Sequence, residues 1–210
     1  MIHVREPKLN PVDIDRLRPT QITVGMREVN RKSKGWKEKN NKKVAKKLGK
    51  DDHMIPTVLG QGGLHYVIDH HHLARALHDA GITEVLCTVV HDFSMLDPRT
   101  FWFNLDNRGL MHPFDAEGKR CSRHEIPEKI SELVDDPYRS LAGELRRRGG
   151  FAKDTTPFSE FLWADFFRTR IKRKAIEDDK GFANALNEAL ELAKSEKAKY
   201  LPGWCGPAED

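Results

Sequence analysis

The stretch that decides the fold is Tyr66-Val67-Ile68-Asp69-His70-His71-His72-Leu73-Ala74-Arg75-Ala76-Leu77. A short β-favouring run ends in an acid and three histidines, and a helix-period pattern follows at once. The reading is a strand, a polar turn, and a helix whose first turn carries imidazoles. A helix N-terminus holds unpaired N–H groups and a partial positive charge, so this turn is a candidate seat for an anion or a phosphate. On a helical wheel of about 100° per residue, Leu73, Ala76, Leu77 and Ala80 gather as an apolar stripe. His71, Arg75 and His78 gather opposite, with His72 between, as a face open to a ligand. Asp69 stands where an N-cap carboxylate would accept the first N–H groups. The plainer alternative is a capping acid beside structural histidines. Adjacent histidines on a helix point about 100° apart and do not easily share one ion. A metal held through Asp69 and a phosphate suits the pattern better.

Working outward, Ile55-Pro56-Thr57-Val58-Leu59 and His65-Tyr66-Val67-Ile68 read as strands around a Gly60-Gln61-Gly62-Gly63 hairpin loop. The helix of residues 70–80 stops at Gly81, and Glu84-Val85-Leu86-Cys87-Thr88-Val89-Val90 is a further strand. Upstream, residues 2–9 read as an edge strand closed by Pro11, and Asp13–Arg18 as one helical turn. Residues 24–48 read as a helix, broken at Gly35 and stopped at Gly49. Past Ser94 the pattern is helical, with segments opening at Asp97-Pro98 and covering 126–133, 141–148, 158–176 and 182–200. The expected fold class is α+β: a small mixed core over residues 1–93, then an all-helical C-terminal extension over 94–210. Phe158, Phe161, Leu162, Phe166 and Phe167 are expected to pack that extension on the core.

The 210 residues carry 36 Lys and Arg against 32 Asp and Glu, a formal charge of +4. Their distribution matters more than the sum. Between Arg31 and Lys50 stand ten basic residues and one acid, Glu38, a block that could meet nucleic-acid phosphates or remain a solvated face. No run of about 18 apolar residues suggests a membrane span, and Met1–Glu6 lacks the pattern of a secretory leader. Cys87, Cys121 and Cys205 are scattered without paired spacing, which points to a reducing, cytoplasmic setting rather than a disulfide frame or zinc knuckle.

Ile55-Pro56 to Val58, then Tyr66 to His72, then Arg75-Ala76-Leu77 resemble the ParB/sulfiredoxin superfamily, in which a strand ends in an Asp-Gly-His-His-Arg-like turn that opens a helix and binds nucleotide phosphates. The closer resemblance is to the ParB-like nuclease branch. Pro19-Thr20-Gln21 with Gly25 and Glu28, Asp136-Pro137-Tyr138-Arg139-Ser140-Leu141, the stretch from Pro157 to Arg168, and Leu201-Pro202-Gly203-Trp204 all read like that branch. Here His70 replaces the turn glycine and Leu73 the following arginine. The reactive cysteine of sulfiredoxins is missing from the turn, which argues against sulfinic-acid reduction.

The resemblance implies a phosphorylated ligand, a nucleotide with Mg²⁺ or a nucleic acid. Backbone N–H groups at His71 to Leu73 would cradle the phosphate, with His70, His71, His72, Arg75, Thr20 and Gln21 around it. His71 or His72 would neutralise charge on the phosphoryl oxygens, and Asp69 would orient an imidazole or hold the metal. Glu28 is the expected upstream base, by likeness to superfamily members that act as small-molecule kinases. Arg139 and Lys153 are further candidates from the helical half, with a surface salt bridge as the ordinary fate of each. The chemistry expected is nucleotide-dependent phosphotransfer or nucleotide hydrolysis. The alternatives are cleavage of nucleic acid, or DNA binding through the 31–50 block without catalysis.

Overall fold

The hairpin and the strand after it build the centre of a five-stranded mixed sheet. The computed structural model describes residues 9–38, 48 and 53–207. Its strands are β1 (Leu9–Asp13), β2 (Leu17–Pro19), β3 (Thr23–Val24), β4 (Ile55–Leu59), β5 (His65–Val67), β6 (Glu84–Asp92) and β7 (Val134–Asp135). The sheet order is β1-β6-β4-β5-β2, and β3 pairs with β7 apart from it. β4 and β5 are antiparallel, with Thr57 opposite Val67 and Leu59 opposite His65. Gly60 has no substitute in that turn, because a Cβ there would stand 2.5 Å from the Tyr66 ring. The first two helices are α1 (Met26–Lys37) and α2 (His71–Asp79). After α2 the chain returns as β6, parallel to β4, and β2 lies parallel to β5 on the far edge.

Two compact units divide the chain. The first holds residues 1–22, 29–113 and 121–133, and the second holds 23–28, 114–120 and 134–210. The division therefore does not fall at 93/94. The reason is α3 (Pro98–Asn107): its Phe101 and Leu105 form one core with Val58 of β4 and with Ile22, Met111 and Ile126. Alternate positions, Leu17, Ile55, Thr57 and Val67, are fully buried as well, so the sheet is covered on both faces. α2 buries Leu73, Ala74, Ala76 and Leu77.

The second unit has a core of its own. α4 (Pro137–Arg147), α5 (Ser159–Arg168) and α6 (Asp179–Lys194) surround Leu141, Leu145, Trp163, Phe166, Phe167 and Leu186. Phe151 stacks on Trp163 at 4.3 Å. The aromatic run expected to seal an extension onto the sheet thus fills the interior of this unit, and Leu162 is exposed. α3 and α4 start alike, with Asp97 and Asp136 as side-chain N-caps and proline in the first turn.

The architecture is α+β, as the alternation implied. Local boundaries differ from the reading in several places. The single helix read over 158–176 ends at Arg168, and a separate 3₁₀ turn covers Arg173–Ile176. The turn read over Asp13–Arg18 gives way to a strand at Leu17. The edge strand runs through Pro11, which an edge position tolerates, and residues 2–8 lie outside the described residues. α1 passes Gly35 without a break, while residues 39–47 and 49–52, most of the rest of the basic block, also lie outside the described residues. Residues 126–133 do not form a helix. Single 3₁₀ turns at Arg123–Glu125 and Ile130–Glu132 lead into β7.

Candidate functional site

The turn between β5 and α2 is made by His70 in the left-handed region, at φ 64° and ψ 25°. That conformation explains why a glycine belongs there in the wider superfamily. The His70 N–H donates to Asp69 Oδ1 at 2.6 Å, and the His70 ring bonds the Met54 carbonyl through Nδ1 at 2.8 Å. Asp69 therefore does not cap α2. The helix starts without a side-chain cap.

His71 is 3 % exposed, and its Nε2 accepts the Thr20 N–H at 3.1 Å. An accepting Nε2 places the ring proton on Nδ1 of a neutral imidazole. Thr20 is itself locked, with Oγ1 donating to the Val67 carbonyl at 2.7 Å and its carbonyl accepting the His112 N–H at 2.8 Å. Burial pushes the His71 pKa down to about 3, with His70 and His112 adding repulsion and a hydrogen bond with the Val67 carbonyl pulling the other way. A ring that stays neutral and walled in cannot balance phosphoryl charge, which removes His71 from the expected chemistry. His72 and Gln21 are buried too. The Leu73 side chain belongs to the interior, as expected for the apolar stripe.

Arg75 is likewise committed within the fold. Its Nε bonds both Asp79 oxygens at 3.0 and 3.1 Å, and Nη1 donates to the Leu133 carbonyl at 2.7 Å. The face expected to open toward a ligand is instead tied to the chain leaving β2 at His71 and to Leu133 at Arg75. Of the turn, only exposed Asp69 and half-buried His70 remain on the outside. Among the described residues no group of three or more His, Cys, Asp or Glu could hold a metal ion.

A second polar cluster forms within the second unit, where the structure puts Glu28. Asp136 fixes it. One carboxylate oxygen takes the Tyr138 and Arg139 N–H groups at 2.9 and 3.2 Å, and the other takes Arg168 Nη2 at 2.7 Å. Burial raises the Asp136 pKa, and Arg168 with the two N–H groups opposes that shift. Gly25 allows the chain before α1 to approach Ser140 so closely that a Cβ would lie 2.8 Å from its hydroxyl.

Arg139 follows in the first turn of α4, with its side chain only 9 % exposed. Its guanidinium lies over the Phe161 ring at 5.3 Å, and Nη2 is 3.8 Å from Glu160 Oε2. Glu160 is held more tightly by Arg146, at 2.7 Å. Arg139 Nε and Nη1 are buried without a hydrogen-bond partner. One turn along α4, a Cβ at Gly143 would stand 2.9 Å from Arg139 Nη1 and 3.4 Å from Glu28 Oε2. Glu28 is therefore gathered with Arg139, whereas Thr20 is gathered with His71. The expected surface salt bridge of Arg139 is a buried, incompletely satisfied cation. The signal for it was the Asp136-Pro137 cap, which puts Arg139, Gly143 and Arg146 on one helix face. Lys153 is exposed.

Three segments that carried the sequence resemblance, at Gly25–Glu28, Asp136–Leu141 and Phe158–Arg168, meet in this second cluster. No helix among the described residues is long and apolar enough to cross a membrane. No curated protein matches the chain. It is similar to the crystal structure of protein Atu1540 from Agrobacterium tumefaciens, with 50 % sequence identity and a TM-score of 0.87 over 96 % of this chain and 99 % of that one. The model of the family described as "Putative ParB-like nuclease" matches residues 10–169, and the chain belongs to that family.

Proposed function

We propose that this protein binds a phosphorylated ligand, a nucleotide or a nucleic-acid strand, at the start of α2, with the histidine turn serving as its scaffold. The observation that carries the reading is the uncapped N-terminus of α2 behind a left-handed His70. A helix of this length with no side chain on its first N–H groups offers directional donors and a partial positive charge to a phosphate. His71 and Thr20 hold that turn in shape, and Asp69 and His70 are the side chains left to meet the ligand. The family's description as a nuclease supports a phosphodiester or nucleotide as the ligand class. The basic residues Arg31, Lys34 and Lys37 of α1 would add an electrostatic, salt-sensitive contribution if the ligand is DNA.

The chemistry, if any, lies between phosphotransfer, nucleotide hydrolysis and strand cleavage. Mg²⁺ would arrive with the nucleotide's own phosphates. The test is a panel of nucleotides and of single- and double-stranded oligonucleotides, each with and without Mg²⁺, read by thermal unfolding and by product analysis. A ligand at about a hundred times its Kd stabilises the native state by about 2.7 kcal/mol. Stabilisation that Asp69→Ala and His70→Ala weaken is the expected result. An unchanged unfolding curve across the whole panel would end the reading. The products then separate a hydrolase, a nuclease and a binding module.

A further inference from the structure

We propose that the second unit carries a surface for single-stranded nucleic acid, built on Tyr200 and Arg170. The ligand class is one that the reading above admits, but the place and its residues are independent of it. Two basic runs lie in this unit, at Arg146–Arg148 and Arg168–Lys174. Carboxylates answer the first. Arg146 pairs with Glu160 at 2.7 Å, and Arg147 and Arg148 both pair with Glu144. The second run holds five basic residues in seven and no acid. Arg168 is taken by Asp136 and Asp165, and Arg173 pairs with Glu117 at 2.9 Å. Arg170, Lys172 and Lys174 are exposed, and no carboxylate among the described residues pairs with them. Of the acids that follow, Asp178 caps α6 through the Gly181 N–H and Asp179 pairs with Arg27, which leaves Glu177.

Charge of one sign is by itself an ordinary solvated face. The rings beside it select a ligand. The Arg170 guanidinium sits 3.8 Å from the centre of the Phe166 ring, and its Nη1 donates to the Phe166 carbonyl and the Thr169 hydroxyl, which hold the side chain in place. Tyr200 meets the same Phe166 ring at 6.4 Å with the planes 67° apart. Phe166 is 2 % exposed and Tyr200 73 %, so Phe166 is the buried support and Tyr200 the open ring beside a fixed cation. Lys199 adjoins it, and its exposed pair with Glu196 at 3.4 Å is of a kind that yields to a stronger anion. An open ring takes the π-face of a base while Arg170, Lys172 and Lys174 take phosphates. A duplex keeps those faces inside its own stack, so an unpaired strand is selected. A lipid surface fits less well, because it needs a broad apolar face to bury, and Leu162 is the one exposed large apolar side chain on α5.

The experiment is fluorescence anisotropy of a labelled oligonucleotide, single-stranded and as a duplex, titrated with the full chain over a range of salt. The proteins are wild type, Tyr200→Ala, Tyr200→Phe, the double variant Lys172→Gln with Lys174→Gln, and Asp69→Ala. Wild type should bind the single strand more tightly than the duplex. Tyr200→Ala should lose about tenfold in affinity for the strand, as removal of one stacked base does, and Tyr200→Phe should restore it. The lysine double variant should bind more weakly and lower the salt slope by about 1.4, two phosphate contacts' worth. Thermal melts matching wild type show that these exposed substitutions leave the fold intact. Wild-type affinity in both Tyr200→Ala and the lysine variant overturns the proposal. So does a duplex bound as tightly as the strand, binding of anionic phospholipid vesicles in place of oligonucleotide, or no oligonucleotide binding at all. Binding lost in Asp69→Ala but kept in Tyr200→Ala assigns the strand to α2 and overturns this surface alone. Binding that depends on Tyr200, in a chain that no nucleotide stabilises, upholds this surface and ends the seat at α2.

Discussion

The histidine turn of the first unit and the arginine cluster of the second are both buried and polar, yet they differ in how far they are satisfied. Around His71, the Thr20 N–H, the Thr20 hydroxyl and the Val67 carbonyl close a ring of hydrogen bonds, and the imidazole is kept neutral. Around Arg139, a permanent charge sits over an aromatic ring with two nitrogens unmatched. A saturated network stabilises and resists change. An unsaturated one leaves buried donors unmet, at the expense of stability. Within the histidine run it is the His71 ring that belongs to the saturated network.

The contrast fails or sharpens first on His71→Ala. Losing the ring leaves a cavity and a buried Thr20 N–H without an acceptor, so stability should fall by about 3–4 kcal/mol in urea unfolding. A loss under about 1 kcal/mol would mean that the turn is not the structural joint inferred here. Arg139→Met should behave oppositely and stay within about 1 kcal/mol of wild type, because an apolar side chain replaces a poorly paired buried charge.

Acid should expose the same difference. The His71 pKa is lowered in the native state to about 3 from 6.5, so the unfolded chain binds the extra proton. Its contribution is complete above pH 6.5 and is lost as pH falls, at about 1.4 kcal/mol per pH unit, until the folded value is reached. In His71→Gln that slope disappears. Parallel pH–stability curves for the two proteins between pH 6.5 and 4.5 would contradict a neutral, sealed ring.

Smaller effects concern the backbone. At φ 64°, His70→Ala should be less stable than His70→Gly by about 1 kcal/mol, since both lose the bond to Met54 and only alanine keeps the left-handed strain. Equal stabilities would deny that the turn is strained. Gly143→Ala should gain up to about 1 kcal/mol of helix stability, provided the flexible tip of Arg139 yields. A clear loss instead would make Gly143 a packing requirement of α4, set by the close approach of Arg139 and Glu28.

Much of the fold was legible in local pattern. The period-2 runs around Gly60-Gln61-Gly62-Gly63, the switch to helical period after His70, and the Asp97-Pro98 opening announce elements that form as read. The helix expected from 141 starts instead at Pro137, behind the Asp136 cap. These signals are local because strands, caps and turns depend on neighbours a few residues away. The absence of a helix at 126–133 was not legible, since Ile126 serves a core assembled from β4 and α3.

The sites divide along the same line. Residue order alone determined that a polar turn would open α2 and that Leu141 onward would be helical, and the family resemblance added that position 70 stands where a glycine is usual. Only the tertiary structure decided that the Thr20 N–H would meet His71 across 51 positions of sequence, and that Glu160 would prefer Arg146 to Arg139. A side chain's availability depends on which distant acceptors reach it first, and hydrogen-bond competition across the fold is not written in spacing.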